Sequence, residues 1–230
     1  MADTANNRVR AISPAGTITT VAGNGSLAFT GLGGPATDVS VPQPVAVALS
    51  RGGALYIADD AGIQVVSPHG TLTTLVHAGA GVLRIDGTPT AFTPDAIALG
   101  TNGYLYVADS SPKLLIELTP TGQVLRSWQV YVTPAGLATA PDGSIIVGNY
   151  GSFAVDRIVD NQLTVVHAFT RGSLRGLVAT LRPSGVTATS AGQVDVDTDG
   201  TNGGTNTPAI AAIGTTGQPH LLASGRNADH

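Results

Sequence analysis

Three observations predict an all-β fold built from repeated sheets. Four segments of the chain align with one another: PVAVALSRGGALYIADD from Pro44, PDAIALGTNGYLYVADS from Pro94, PAGLATAPDGSIIVGNY from Pro134 and PSGVTATSAGQVDVDTD from Pro183. In each, Pro opens a short alternating strand, and a glycine nine residues on (Gly53, Gly103, Gly143, Gly192) turns the chain into a second one. The composition agrees: 30 Gly and 14 Pro among 230 residues punctuate Val-, Ile- and Thr-rich runs, and no window sustains helical spacing over three turns. The steps between the four prolines are 50, 40 and 49 residues. A sheet of that length cannot bury both its faces alone and has to stack on neighbours, which is the arrangement of four-stranded β-propeller blades.

The units follow in chain order. Residues 2–41 enter at the end of a second strand and make a partial blade; units 42–91, 92–132, 133–181 and 182–230 are whole. The second halves repeat a strand, a turn and a strand: AISPAGTITTVAG, VVSPHGTLTTLVH and ELTPTGQVLRSWQ share an S/T-P-x-G turn. Pro at the second turn position and Gly at the fourth suit a type I turn. RIVDNQLTVVHAF repeats the pattern with Asp160-Asn161-Gln162 as its turn. The expectation is one propeller domain over 1–230, with about four and a half antiparallel meander blades and an open ring.

The stretch ADTANNRVRAISPAGTITTVAGNG, with TGLGGPAT and then LYIAD and LYVAD, resembles the bacterial NHL-repeat β-propellers. The resemblance covers nearly the whole chain and is strongest through about residue 110. Propellers of that family usually close with six or so blades, so it implies an incomplete one here. The family includes sensors, scaffolds and a few enzymes, so the motifs specify fold and leave function open.

Several classes are disfavoured. A net charge of −4 argues against a nucleic-acid partner held by electrostatics. Cysteine is absent, which removes disulfides, thiolate metal sites and a cysteine nucleophile. No apolar run approaches the length of a membrane-spanning helix, so membrane insertion is not expected. The missing cysteines and a Thr-, Gly- and Asn-rich surface fit an exported bacterial domain.

The segment VDVDTDGTNGGTN places Asp195, Asp197, Asp199 and Gly200 in the D-x-D-x-D-G order of a calcium loop, with carboxylates at ligand positions one, three and five. Its ninth and twelfth positions are Gly203 and Asn206, so the bidentate Glu of such loops is missing. Aligned by repeat, the same aspartates replace Tyr and Ala on one face of a strand, while Val194 and Val196 keep the other face apolar. A terminal repeat needs such a polar face against water. Calcium is the one cofactor this pattern offers.

Catalytic residues are not expected. The chain holds a single glutamate, Glu117, placed in the third strand of its unit away from the axis. Histidines His77 and His167 fall at equivalent ends of two outer strands, which reads as packing. Asp59, Asp109 and Asn149 recur at the end of the second strand, where a side-chain oxygen can hold the following turn. The long connections Gly23–Thr37 and Gly79–Thr93 are the candidate ligand loops, with Asn24, Gly25, Phe29, Gly33, Arg84 and Asp86 as contact residues. The expected function is a non-enzymatic binding module for a protein, peptide or glycan. The alternatives are a divalent-cation-dependent lyase or lactonase, and self-association through open blade edges.

Overall fold

The computed structural model describes residues 1–28, 33–130, 134–150, 152, 154–168, 180–202, 205–206, 209–214 and 219–224. It is all-β, with five antiparallel sheets in a five-blade propeller arrangement and no closed sheet. The first sheet has three strands, β1 (Ala2–Asp3), β2 (Arg8–Ile12) and β3 (Ile18–Ala22), with a 3-10 turn at Thr4–Asn6 between the first two. The second is the meander β4 (Ala46–Leu49), β5 (Leu55–Asp59), β6 (Gly62–Val66) and β7 (Leu72–His77). A separate hairpin, β8 (Gly79–Ile85) and β9 (Thr88–Phe92), precedes the third sheet: β10 (Ala96–Leu99), β11 (Leu105–Asp109), β12 (Leu114–Leu118) and β13 (Val124–Gln129). The fourth is β14 (Pro134–Thr139), β15 (Ile145–Asn149), β16 (Ala154–Val159) and β17 (Gln162–Ala168). The fifth orders β18 (Thr180–Ala188), β19 (Val194–Asn202), β21 (Ala209–Ile213) and β22 (Pro219–Ser224), with the short β20 (Thr205–Asn206) also paired to β19.

One turn closes both kinds of hairpin. At Ser13–Gly16, Ser67–Gly70 and Thr119–Gly122 the glycine N–H donates to the first residue's carbonyl at 2.9 Å in each case. The glycines that open the second strands do the same at Ser50–Gly53, Ala140–Gly143 and Thr189–Gly192. Each glycine lies in the left-handed region, with φ between 81° and 87°. There a side chain costs about 1–2 kcal/mol, so the chain spends glycine there. The Asp160-Asn161 turn is tighter than the sequence suggests. Both residues are left-handed (φ 49° and 66°), and Gln162 already pairs with Val159 as the first residue of β17. This is the two-residue turn that matches strand twist.

The chain divides into two compact units, Met1–Leu99 with Gly103–Ser127, and Gly100–Asn102 with Trp128–His230. In the first, the middle strands bury both faces. Tyr56, Ala58, Ile63, Leu105, Val107, Ile116 and Leu118 pack into one cluster, while Ile57, Val66 and Leu72 on the opposite face join Val9, Ala22, Val39 and Val41. In the second, Ala140, Ile146 and Val155 pack with Val194, Val196, Ala211 and Ile213. The alternation of strand side chains makes this division automatic once the register is set.

Two glycines separate the cost of conformation from the cost of space. A Cβ on Gly70 (φ 82°) meets nothing within 4 Å, whereas one on Gly122 (φ 84°) meets the Leu75 carbonyl oxygen at 2.8 Å. Gly70→Ala is expected to cost about 1–2 kcal/mol from backbone conformation alone, and Gly122→Ala distinctly more. Urea denaturation of the two variants checks this; equal losses contradict it.

Candidate functional site

The connection from Gly23 to Val45 is held by its own polar groups. Asn24 N–H donates to the Val39 carbonyl (2.9 Å), its Nδ2 donates to the Asp38 carbonyl (3.0 Å), and its Oδ1 accepts from Ser26 N–H (2.9 Å). Arg8 Nη2 donates to the Asn24 carbonyl (2.9 Å), and a Cβ on Gly25 would collide with the same guanidinium at 2.6 Å. Gly33 N–H donates to the Leu72 carbonyl at the edge of β7 (3.0 Å). Thus Asn24, Gly25 and Gly33 hold the connection in place. Phe29 lies outside the described residues.

The connection Gly79–Thr93, expected as a loop, is instead the hairpin β8–β9. The reason is local: Asp86 and Gly87 are both left-handed (φ 49° and 80°), which makes the two-residue turn that pairs Ile85 with Thr88. Leu83 and Phe92 anchor it in the apolar cluster of the first unit. Arg84 and Asp86 stand exposed near its tip, with Arg84 Nη1 donating to the Gly87 carbonyl (3.1 Å).

The ends of the second strands carry buried polar groups. Asp59 Oδ1 accepts from Ala61 N–H (2.9 Å) and from Gln64 Nε2 (3.4 Å), whose Oε1 in turn accepts from Thr74 Oγ1 (2.7 Å). Asp59 Oδ2 is buried with no hydrogen-bond partner among the described residues. Burial pushes the Asp59 carboxyl up to about 7, against the lowering effect of its hydrogen bonds. Asp109 caps its turn more fully: Oδ1 accepts from Ser111 N–H (3.1 Å) and Oδ2 from Thr93 N–H (2.8 Å). Burial raises its pKa also, and Asp95 nearby adds to the rise. Asn149 Nδ2 donates across the sheet to Asp156 Oδ2 (3.0 Å), and its Oδ1 is buried without a partner among the described residues.

The remaining candidates divide. Asp195, Asp197 and Asp199 lie on the continuous strand β19, opposite Thr187, Gly185 and Arg182 of β18. Val194 and Val196 are buried while Asp197 is exposed, and Asp195 accepts from Gln193 Nε2 (2.6 Å). A calcium loop needs these carboxylates wrapped around one point, and a strand spaces them along a line. Among the described residues, no three His, Asp or Glu side chains converge on a metal position. Glu117 is buried in β12, accepting from Tyr106 Oη (2.7 Å) and ion-paired with Arg126 Nε (2.8 Å). His77 and His167 are not equivalent. His77 stands opposite Gly62 and His167 opposite Val155, one register position apart: the same bulge interrupts both outer pairings, but His77 lies five residues after Leu72 whereas His167 lies four after Leu163, its counterpart in register.

Sequence reasoning missed two cavities in the second unit, because each is made by residues distant in sequence. One, of about 470 Å³, is lined by Ala140, Ile146, Val166, Val194 and Ile213, with the Asp142–Arg157 ion pair among its polar groups. The other, of about 320 Å³, contains Asn149 and Asp156. No described helix is long and apolar enough to cross a membrane.

No protein-family profile and no curated protein matches this chain. Solved structures do. A virginiamycin B lyase from Staphylococcus aureus superposes with a TM-score of 0.63 at 16% identity, covering 97% of this chain. A gluconolactonase from Xanthomonas campestris gives 0.66 at 16% identity, over 96% of this chain and 70% of its own. A structure of a nidogen/laminin complex gives 0.59 at 13% identity, over 96% and 90%. The structural neighbours are β-propellers. At these identities the likeness establishes fold alone, and this chain spans 64% of the lyase's length.

The Asp59 carboxyl gives a pH prediction with a definite sign. Its folded pKa lies above the unfolded value of about 3.9, so the native state holds a proton that the unfolded chain releases. This group's contribution to stability is therefore greatest below about pH 4, falls as pH rises, and levels off above about 7. Three pKa units correspond to roughly 4 kcal/mol at most. Asp59→Asn is expected to be more stable than the parent at pH 8, with the gap closing toward pH 4. Urea midpoints across that range check it, and a pH-independent gap contradicts it.

Proposed function

We propose that the chain is a non-enzymatic recognition module of NHL type, a rigid set of blades that binds a protein, peptide or glycan through its interstrand connections. The observation that carries this reading is the hairpin β8–β9. It is anchored by Leu83 and Phe92, closed by the two-residue Asp86-Gly87 turn, and exposes Val82, Arg84, Asp86 and Pro89. A preformed hairpin loses little conformational freedom on binding, so contact area converts to affinity more efficiently than from a floppy loop. The propeller neighbour in the nidogen/laminin complex supports a protein partner. Self-association is a second form of the same reading, since β1 supplies register partners only for Arg8 and Val9 of β2.

The enzymatic alternative, a divalent-cation-dependent lyase or lactonase, is favoured by one feature. Asp59 is a buried carboxyl with an unpartnered oxygen and a pKa of about 7, next to Asp60 in the turn after β5. The lyase and gluconolactonase neighbours lend it weight.

Photo-crosslinking separates these readings. Reactive residues at Arg84 and Asp86 are expected to capture the same partner, and one at the exposed turn residue Arg51 is not. Replacing residues 81–90 by a short turn, with Phe92 kept, is expected to abolish capture. Identical capture from all three positions overturns the recognition reading. So does turnover of a lactone in the presence of calcium or magnesium that survives hairpin replacement and is lost in Asp59→Asn.

A further inference from the structure

The second and fourth sheets carry the same polar layer in different states. In the second sheet the layer runs Asp59, Gln64, Thr74 across β5, β6 and β7. Thr74 Oγ1 donates to Gln64 Oε1 and Gln64 Nε2 to Asp59 Oδ1, so the chain of donors and acceptors is continuous. The register identifies the corresponding residues of the fourth sheet. Asp59 faces Gly62 as Asn149 faces Ala154, Ile57 faces Gln64 as Val147 faces Asp156, and Gln64 faces Thr74 as Asp156 faces Val165. The carboxyl and the amide have therefore exchanged strands, and the hydroxyl of the outer strand has become a methyl.

The exchange leaves one buried acceptor without a donor among the described residues. Asn149 Nδ2 is committed to Asp156 Oδ2 (3.0 Å), and Asn149 Oδ1 has no partner among the described residues although the residue is 3% exposed. Asp156 beside it is 6% exposed. Both line the cavity of about 320 Å³, whose other walls include Val130, Ala154, Leu163 and Val165. The Thr164 hydroxyl on its lining is committed elsewhere, donating to the Arg157 carbonyl (3.3 Å). An apolar cavity ending in a carboxyl and a bare carbonyl oxygen asks for a guest with several N–H donors, positive charge and an apolar body.

We propose that this cavity is a binding site for a small primary alkylammonium, its head held by Asn149 Oδ1 and the Asp156 carboxylate and its chain lying against Val130, Leu163 and Val165. Burial holds the Asp156 carboxyl above its usual range, against the lowering effect of the Asn149 amide, and an arriving cation restores the charged form. Anions are excluded because acceptors line the polar end. Neutral alcohols fit the volume but offer one donor where an ammonium offers three. The site is independent of the hairpin β8–β9 and stands or falls separately from it.

The test is titration of the full chain with n-butylammonium, 1-butanol and butyrate at constant ionic strength, followed by NMR shifts of the Val and Leu methyl groups. Saturable one-to-one binding of butylammonium is expected, roughly tenfold or more tighter than butanol because its hydrogen bonds are charge-assisted, with no binding of butyrate. Val165→Thr restores the hydroxyl of the second sheet at a largely exposed position opposite Asp156, and is expected to weaken butylammonium binding about tenfold by donating to the Asp156 carboxylate that holds the ammonium. Asp156→Asn is expected to erase the preference for ammonium over alcohol. Should Asp156→Asn fail to fold, as its urea midpoint will show, Val165→Thr decides alone. Absence of saturable binding, equal affinity for butanol, or an unchanged affinity in Val165→Thr overturns the proposal.

Discussion

The structure depends on the burial of its middle strands on both faces. Every residue of β11, β12 and β15 is buried, and β5 is buried apart from its first residue. In an isolated antiparallel sheet one face would meet water and carry polar side chains. Here LYIAD, LYVAD and IIVGN are apolar on both faces up to their last residue, so each of these sheets requires a covering surface on either side. Ile57 looks one way into the cluster with Val9 and Val41, and Tyr56 and Ala58 look the other way into the cluster with Leu105 and Ile116. Stacking is then the means by which each sheet becomes stable, as in other repeat architectures.

Polar groups inside such a stack have to satisfy one another across strands. The second sheet does this with Asp59, Gln64 and Thr74, leaving one carboxyl oxygen over. The third does it differently, with the Asp109 carboxyl closing backbone N–H groups on both oxygens and Glu117 taking Tyr106 and Arg126. The fourth leaves Asn149 Oδ1, beside a cavity, without a partner among the described residues. A buried polar atom left without a partner costs about 1–3 kcal/mol. It stays tolerable in a fold whose apolar clusters are this extensive, and it marks where a ligand could repay the loss.

Much of the fold is legible in the sequence because the turns are chemically specific over four residues. S-P-A-G, S-P-H-G and T-P-T-G each need a left-handed glycine at the fourth place, and each has one. The meander order follows from those turns. What escapes is whatever depends on register. The hairpin β8–β9 carries its own Asp-Gly signal, yet its strands hold glycines and prolines that disguise it as a loop. His77 and His167 fall one register position apart because β17 has one residue fewer than β7 between its leucine, Leu163 or Leu72, and its histidine. Of the residues singled out beforehand, Asn24, Gly25 and Gly33 shape their connection, and Arg84 and Asp86 are exposed on a projecting element. The significance of Asn149 lies in its pairing with Asp156, seven residues away in sequence and on the next strand. No local pattern encodes that Val165 stands opposite Asp156 where the second sheet sets Thr74 opposite Gln64.

Coupling between neighbouring sheets is best tested by native-state hydrogen exchange on an Ile116→Ala variant. Ile116 is fully buried in β12 within the cluster that also holds Tyr56 and Ile63 of the second sheet. A buried Ile→Ala change costs about 2–5 kcal/mol. If the double-faced burial makes the sheets of this unit one cooperative structure, the amides of β5 and β6 lose as much protection as those of β11 and β12. Loss confined to β10–β13, with the second sheet unchanged, contradicts the account.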